Sequence, residues 1–285
     1  MPIEIRNLSY VYYPKTPFEY KALKDINLTF EDKQFIAIIG QTGSGKSTLT
    51  QHLNALLRPC NGEVKVNDFT ITAKDKIKDI KMLRKMVGMV FQVPEYQLFE
   101  ETVFKDIAFG PKNFGVKEED LKGKVIEVLK LVGLDETYLE KSPFDLSGGQ
   151  KRRVAIAGLL AMNPDIIVLD EPTAGLDPRG SQKMMKLFED IHRSGKTIIM
   201  VSHDMDSVIR YAQRVIVLQE GQVIADDTPS KIFTNKELLD KLAINQPEVI
   251  KFANELKANG FEIDALRVKD IDTLVAEIIR AKEAK

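Results

Sequence analysis

Apolar positions along the chain repeat first with a period near two and later near 3.6, and the order in which the period changes predicts the architecture. Residues 3–13 and 22–30 read as strands, with Leu23, Ile26, Leu28 and Phe30 marking a buried face at a sheet edge and a Pro-Thr-Pro-containing loop between them. The unbroken apolar run of residues 35–39 reads as a buried strand, and residues 48–53 as a helix. A short strand at 62–66, a charged helix near 77–84 and a strand at 87–91, broken by Gln92 and Pro94, come next. Residues 102–114 and 118–132 have helical spacing, as at Leu121, Val125, Val128 and Leu129, and lie in a helical insert covering about 93–162. Helix, strand, helix and strand then alternate at 146–162, 165–169, 179–193 and 197–201, with a further helix after His203. That alternation predicts a parallel sheet flanked by helices. Behind it, Val249, Phe252, Ala253 and Leu256, and then Ile271, Leu274, Val275 and Ile278, fall at i, i+3, i+4 and i+7. The expected fold is α/β: an antiparallel β subdomain, a parallel-sheet core and a helical insert within residues 1–228, then a small helical C-terminal extension at 229–285.

Composition narrows the setting. The chain has 285 residues, 44% of them hydrophobic, enough for a sizeable core. A formal charge of −1 and a pI near 6.4 give no global basic footprint for nucleic acid, and no nucleic-acid partner is expected. The single cysteine, Cys60, excludes an internal disulfide. The start, Met1-Pro2-Ile3-Glu4-Ile5-Arg6, shows no apolar leader region, and no stretch approaches the roughly 18 apolar residues of a membrane span. The cytosol is the default compartment, so a membrane role would come through partners.

Candidate chemistry sits where the predicted strands end. Gly40-Gln41-Thr42-Gly43-Ser44-Gly45-Lys46-Ser47-Thr48 joins strand to helix with the spacing of a phosphate-binding loop. Backbone N–H groups and a helix N-terminus would cradle nucleotide phosphates, Lys46 would reach the terminal phosphates, and the Ser47 hydroxyl would meet Mg²⁺. The buried strand at 165–169 runs into two adjacent carboxylates, Asp170 and Glu171. Beside a phosphate-binding loop, Asp170 suits hydrated Mg²⁺ and Glu171 suits polarising the attacking water. Ser147, Gly148 and Gly149 offer a hydroxyl and bare N–H groups at another helix start, a second anion cradle in one chain.

With these motifs around it, Leu146-Ser147-Gly148-Gly149-Gln150 resembles the signature sequence of ATP-binding-cassette (ABC) nucleotide-binding subunits. The resemblance covers about residues 3–226. It implies that Ser147 to Gln150 serves the γ-phosphate of ATP held by another subunit. It further implies that Gln92 touches Mg²⁺ and water and reports to the transport partner, and that Ala174-Gly175-Leu176-Asp177 crosses the dimer interface. His203 would contact the γ-phosphate, where a neutral imidazole can donate without adding full charge. Tyr12 would stack on adenine, although Tyr10, Tyr12 and Tyr13 equally suit packing in the β layer. His52 and His192 lack such context and read as helix-surface residues.

Several further stretches are similar to the ATP-binding subunits of energy-coupling factor (ECF) transporters. They are Tyr12-Tyr13-Pro14, Thr16-Pro17-Phe18-Glu19-Tyr20-Lys21-Ala22-Leu23, His52-Leu53-Asn54, Phe91-Gln92-Val93-Pro94-Glu95 and Gly110-Pro111-Lys112-Asn113-Phe114. The proline-lysine-asparagine run resembles the second of two paralogous subunits. Gln41 departs from the histidine of many members. The resemblance implies a peripheral ATPase on the cytoplasmic face of the cell membrane, with a second ABC ATPase subunit, an integral membrane scaffold and a small membrane substrate-binding subunit. Vitamins or transition-metal ions are the usual cargo. Glu95, Glu100, Glu101 and Asp106 among Tyr96, Leu98, Phe99 and Phe104 suit docking of a basic amphipathic scaffold helix. The alternative reading is a soluble ABC ATPase of DNA repair or translation. A P-loop kinase would leave the signature at Ser147 unexplained.

Overall fold

The computed structural model describes residues 3–283; Met1 and Pro2, the first residues of the start expected to lack an apolar leader region, lie outside them. Two compact units divide the chain. One takes its residues from before 79 and after 198, the other is residues 79–198.

The first unit opens with β1 (Ile3–Tyr12), β2 (Tyr20–Phe30), β3 (Phe35–Ile39), α1 (Lys46–Leu53), β4 (Asn61–Val66) and β5 (Phe69–Ile71). Four of these strands form an antiparallel sheet in the order β2-β1-β4-β5, so β2 is an edge strand, as its pattern predicts. Ile3 faces Phe30, Ile5 faces Leu28 and Leu8 faces Ile26, and all six are buried. β3 lies elsewhere in the unit. All five of its residues are buried, the mark of a strand covered on both faces.

The second unit holds α2 (Ile80–Met86), β6 (Val87–Val90), α3 (Val103–Asn113), α4 (Glu118–Leu131), α5 (Gly148–Leu160), β7 (Ile166–Asp170) and α6 (Pro178–Arg193). β6 and β7 pair in parallel, Val87 with Ile166 through Val90 with Leu169. Helices α3, α4 and α5 bury Ile107, Leu121, Val125, Leu129, Val154 and Ile156, the helical insert expected from the spacing.

β8 (Thr197–Val201) carries the chain back, followed by α7 (Met205–Tyr211), β9 (Arg214–Gln219) and β10 (Gln222–Asp227). β9 pairs in parallel with β3 and antiparallel with β10. The β9–β10 hairpin was not read from the sequence. Its two-residue turn is Glu220-Gly221, with φ of 48° and 78°, the left-handed pair that a tight hairpin turn requires. Arg214 then grips both oxygens of Asp226 at 2.6 Å and donates to the Thr29 carbonyl at 2.7 Å, fastening the hairpin to β2.

The extension forms α8 (Pro229–Thr234), α9 (Lys236–Leu242), α10 (Glu248–Ala258) and α11 (Ile271–Glu283). Two helices beyond those predicted are therefore present, and the predicted faces need correction. Ile250, Ala253, Leu274 and Ala281 are buried, whereas Phe252, Ile271 and Val275 are exposed. In α11 the reason is a polar residue that an apolar pattern cannot register: Glu277 is 6% exposed, donated to by Arg280 at 2.7 Å and by the Asp264 amide at 3.2 Å. No helix among the described residues is long and apolar enough to cross a membrane.

Candidate active site

In the first unit, β3 ends at Ile39, and the loop that follows closes onto α1 at Lys46. Gly45 has φ 103°, and a Cβ there would lie 2.6 Å from the Ala22 carbonyl oxygen, so this corner admits glycine alone. Lys46 is 6% exposed, and its ammonium donates to the Gly40 and Gln41 carbonyls at 2.8 and 2.9 Å. The positive charge thus sits inside the turn of the loop. The Ser44 hydroxyl is buried there without a hydrogen-bond partner. An orphaned hydroxyl beside a buried ammonium and a helix N-terminus fits a phosphate. Ser47 is exposed one position further on, its hydroxyl accessible to a ligand.

The aromatic residues beside the loop are now separated. The Tyr12 hydroxyl shares a 3.3 Å hydrogen bond with the Thr48 hydroxyl, and its ring meets Tyr10 edge-on at 4.8 Å. Tyr10 in turn packs edge-on against His52 at 4.9 Å. Tyr13 turns outward, 68% exposed with φ 50°. His52 is therefore not on the helix surface: it is wholly buried, with Nδ1 2.7 Å from the Thr48 carbonyl oxygen. Desolvation lowers its pKa, keeping the ring neutral. His192 is half-buried, its Nδ1 3.0 Å from the Lys196 carbonyl oxygen. Both imidazoles satisfy backbone groups that a linear sequence does not display. Sequence reasoning also missed Tyr20, whose hydroxyl donates to the Gly43 carbonyl at 2.6 Å and braces the phosphate loop.

Gln41 does not enter the loop's interior. Its amide donates to the Leu242 carbonyl at the end of α9, 2.9 Å away, tying the loop to the C-terminal extension. Gln41→Ala removes that bond and no loop amide, so melting should report a loss of about 0.5–1.5 kcal/mol while ATP titration stays within about twofold of the native chain. His203 lies exposed two residues beyond β8, the strand next to β3 in the sheet.

In the second unit, the parallel pairing of Val90 with Leu169 brings Gln92 and the Asp170-Glu171 pair out at the same strand ends. Gln92 is exposed, Asp170 is 8% exposed, and Glu171 is half-buried. Glu171 has φ 51°, a left-handed conformation that costs a non-glycine residue about 1 kcal/mol or more and persists only where surrounding structure holds it.

Ser147 caps α5, and Ser147, Gly148 and Gly149 are exposed. A Cβ built on either glycine would meet nothing within 4 Å. Nothing in this chain requires glycine at these two positions. Gln150 is committed within the chain: Oε1 accepts from the Ser147 amide at 3.0 Å, and Nε2 donates to the Tyr138 hydroxyl at 2.9 Å. Asp177 caps α6 by accepting from the Gly180 amide at 2.7 Å.

The acidic stretch also differs from its expected form. Asp106 accepts from the Phe99 and Glu100 amides at 3.1 and 3.0 Å, and burial raises its pKa. Glu101 pairs with Lys105 at 2.6 Å, and Glu95 lies 3.5 Å from Arg152. Three of the four acids thus hold this chain's own groups. The apolar side is open, with Tyr96 87% and Phe99 56% exposed and Phe99 edge-on to Phe109 at 4.8 Å, while Leu98 is buried.

Ser47 in the first unit, and Asp170 and Gln92 in the second, each offer an oxygen donor of the kind a hard cation such as Mg²⁺ takes. Among the described residues, no group of three or more His, Cys, Asp or Glu could hold a metal ion.

Residues 23–174 match the ABC transporter family. An ECF transporter ATP-binding protein of Enterococcus faecalis is 50% identical, with all of both chains covered. A solved chain from Clostridium perfringens, part of an ABC transporter complex, superposes with a TM-score of 0.73 at 37% identity, over 90% of this chain and 98% of that one. A dimeric ATP-binding cassette bound to ADP and phosphate gives 0.72 at 31% identity, over 80% of this chain and 98% of that one. These likenesses do not favour a soluble ATPase of DNA repair or translation. The α/β fold, the phosphate loop and the extent of these likenesses agree: the chain belongs to the ABC transporter family, among the ATP-binding subunits of ECF transporters, of the second-paralogue type.

Proposed function

We propose that this chain is one half of an ATP-driven dimer in which each nucleotide lies between the phosphate loop of one subunit and the Ser147–Gln150 segment of the other. The activity is ATP hydrolysis that powers an ECF-type importer. The observation that carries the two-subunit reading is the open space over Gly148 and Gly149. Glycine that its own chain does not need suits a surface where something external approaches bare backbone.

In this reading the amides of residues 40–48 and the Lys46 ammonium hold the phosphates, Ser44 donates its orphaned hydroxyl, and Tyr12 offers its ring to adenine. Ser47, Asp170 and Gln92 hold Mg²⁺, which neutralises phosphate charge when bound. Glu171 accepts the proton of the attacking water, and His203 donates to the terminal phosphate. Asp177 and its loop face the partner ATPase. Nucleotide binding closes the dimer and hydrolysis reopens it. Residues 1–228 serve as the ATPase domain and 229–285 as an extension.

The other partners are an integral membrane scaffold and a small membrane substrate-binding subunit for vitamins or transition-metal ions, with this chain peripheral on the cytoplasmic face. Tyr96 and Phe99 provide the apolar contact for the scaffold. Copurification of the full chain with co-expressed membrane subunits tests this. Tyr96→Asp with Phe99→Asp should reduce recovery of the scaffold at least about tenfold, while binding of ATP persists. Undiminished recovery would remove this surface from the interface.

A further inference from the structure

We propose that Arg152 is a positioning residue for hydrolysis, one guanidinium that holds three parts of the catalytic machinery in register. It sits in the second turn of α5, immediately after Ser147–Gln150, and its side chain is 7% exposed. Nη1 donates to the Ala174 carbonyl at 2.7 Å and reaches the Pro172 carbonyl at 3.5 Å. Nη2 donates to the Gln92 carbonyl at 3.2 Å. Nε faces the Glu95 carboxylate at 3.5 Å. Pro172 directly follows Glu171, and Ala174 opens the segment that ends at Asp177.

The chemistry of these partners distinguishes this from simple charge pairing. The two shortest contacts, 2.7 and 3.2 Å, go to backbone carbonyls, and the carboxylate lies at 3.5 Å. Desolvating a full charge for neutral acceptors is a poor way to gain stability, and an apolar residue of similar volume would fill the space more cheaply. What the planar fork supplies is direction: fixed N–H vectors that meet several carbonyls at once, which neither lysine nor an apolar side chain reproduces. A carbonyl on either side of the catalytic carboxylate's neighbourhood is thereby fixed relative to the helix bearing the signature. Gln92 is held through its own backbone carbonyl, and the residue is otherwise exposed. Glu171, strained at φ 51°, is followed at once by the segment that Arg152 grips. Small displacements of a base relative to its water cost large factors in rate, so an anchor of this kind acts on turnover more than on affinity.

This inference rests on the assignment of Glu171 as the base, and the experiment separates the two. Arg152→Lys and Arg152→Gln are made in the full chain, purified with its partners, alone and together with Glu171→Gln. Both Arg152 variants should lower kcat about 10- to 100-fold with KM for ATP within about twofold. In the Glu171→Gln background, single-turnover hydrolysis should lose less than about twofold further, because the anchor acts through a base no longer present. Native kcat in Arg152→Gln beside an inactive Glu171→Gln chain overturns the Arg152 proposal alone. Full additivity of the two changes, or a fall in melting temperature with parallel loss of ATP binding, reduces Arg152 to a structural role and overturns it as well. Native turnover in Glu171→Gln itself would instead overturn the base assignment, and Arg152's action through it.

Discussion

Glu171→Gln is expected to lower steady-state ATP turnover by about 10²- to 10⁴-fold and to leave ATP affinity within about twofold. The substitution keeps the size, the planarity and one acceptor oxygen of the side chain, and removes only the capacity to take a proton at neutral pH. The backbone should not object, because glutamine meets the φ of 51° with the same Cβ that glutamate does. The phosphate loop is also untouched, since the groups proposed to bind phosphate there are backbone amides, the Ser44 hydroxyl and the Lys46 ammonium. A loss confined to kcat is the signature of an interaction made in the transition state. Phosphate release and nucleotide binding, measured on the same preparation, separate the two quantities. Unimpaired phosphate release would remove Glu171 from the role of base, and a matching loss of affinity would mean that the substitution had damaged the site as a whole.

Much of the architecture was legible because it depends on local signals. The buried runs that became β3, β7 and β8 are short, apolar except for Asp170 and Thr197, and run into glycine, glutamate and serine, so their period and their ends were visible together. The motifs at their C-terminal ends were legible for a related reason: a phosphate loop requires glycine where a Cβ would strike Ala22, and that requirement is written in the residue type. What failed was whatever depends on a distant partner. His52 looks like any polar helix residue until Tyr10, in strand β1, covers it. The face of α11 was misassigned because buried Glu277 is made tolerable by Arg280 and the Asp264 amide. That Asp106 folds back to cap the amides of Phe99 and Glu100 is likewise invisible in the sequence. Arg152 carries no local signal, since its partners are three carbonyls contributed by residues 92, 172 and 174.

Gly148→Asp should silence hydrolysis at a site on the partner subunit, lowering turnover there about 10²-fold or more, while the altered chain still binds ATP at its own Lys46. The variant is expected to fold normally. A Cβ at this position meets nothing within 4 Å, and aspartate in the first turn of α5 is favoured by the helix dipole. Its effect falls instead on a ligand that this chain does not itself hold, by placing a carboxylate and extra bulk where a γ-phosphate approaches bare amides. The arrangement of sites makes a decisive comparison possible. With Lys46→Ala on one subunit and Gly148→Asp on the other, at corresponding positions if the second subunit is a homologous chain, both defects fall on one composite site and the other remains chemically intact. With both changes on a single subunit, each composite site carries one defect. The first dimer should therefore hydrolyse ATP measurably faster than the second, although the two contain the same pair of substitutions. If catalysis were confined to single chains, the order would reverse or vanish, because a chain carrying both changes would leave its partner wholly native. Equal activities in the two dimers would argue against trans action. Nucleotide trapping at each site then distinguishes single-chain sites from composite sites so strongly coupled that one defect stops both, since only coupled composite sites would leave ATP bound and uncleaved beside an undamaged signature.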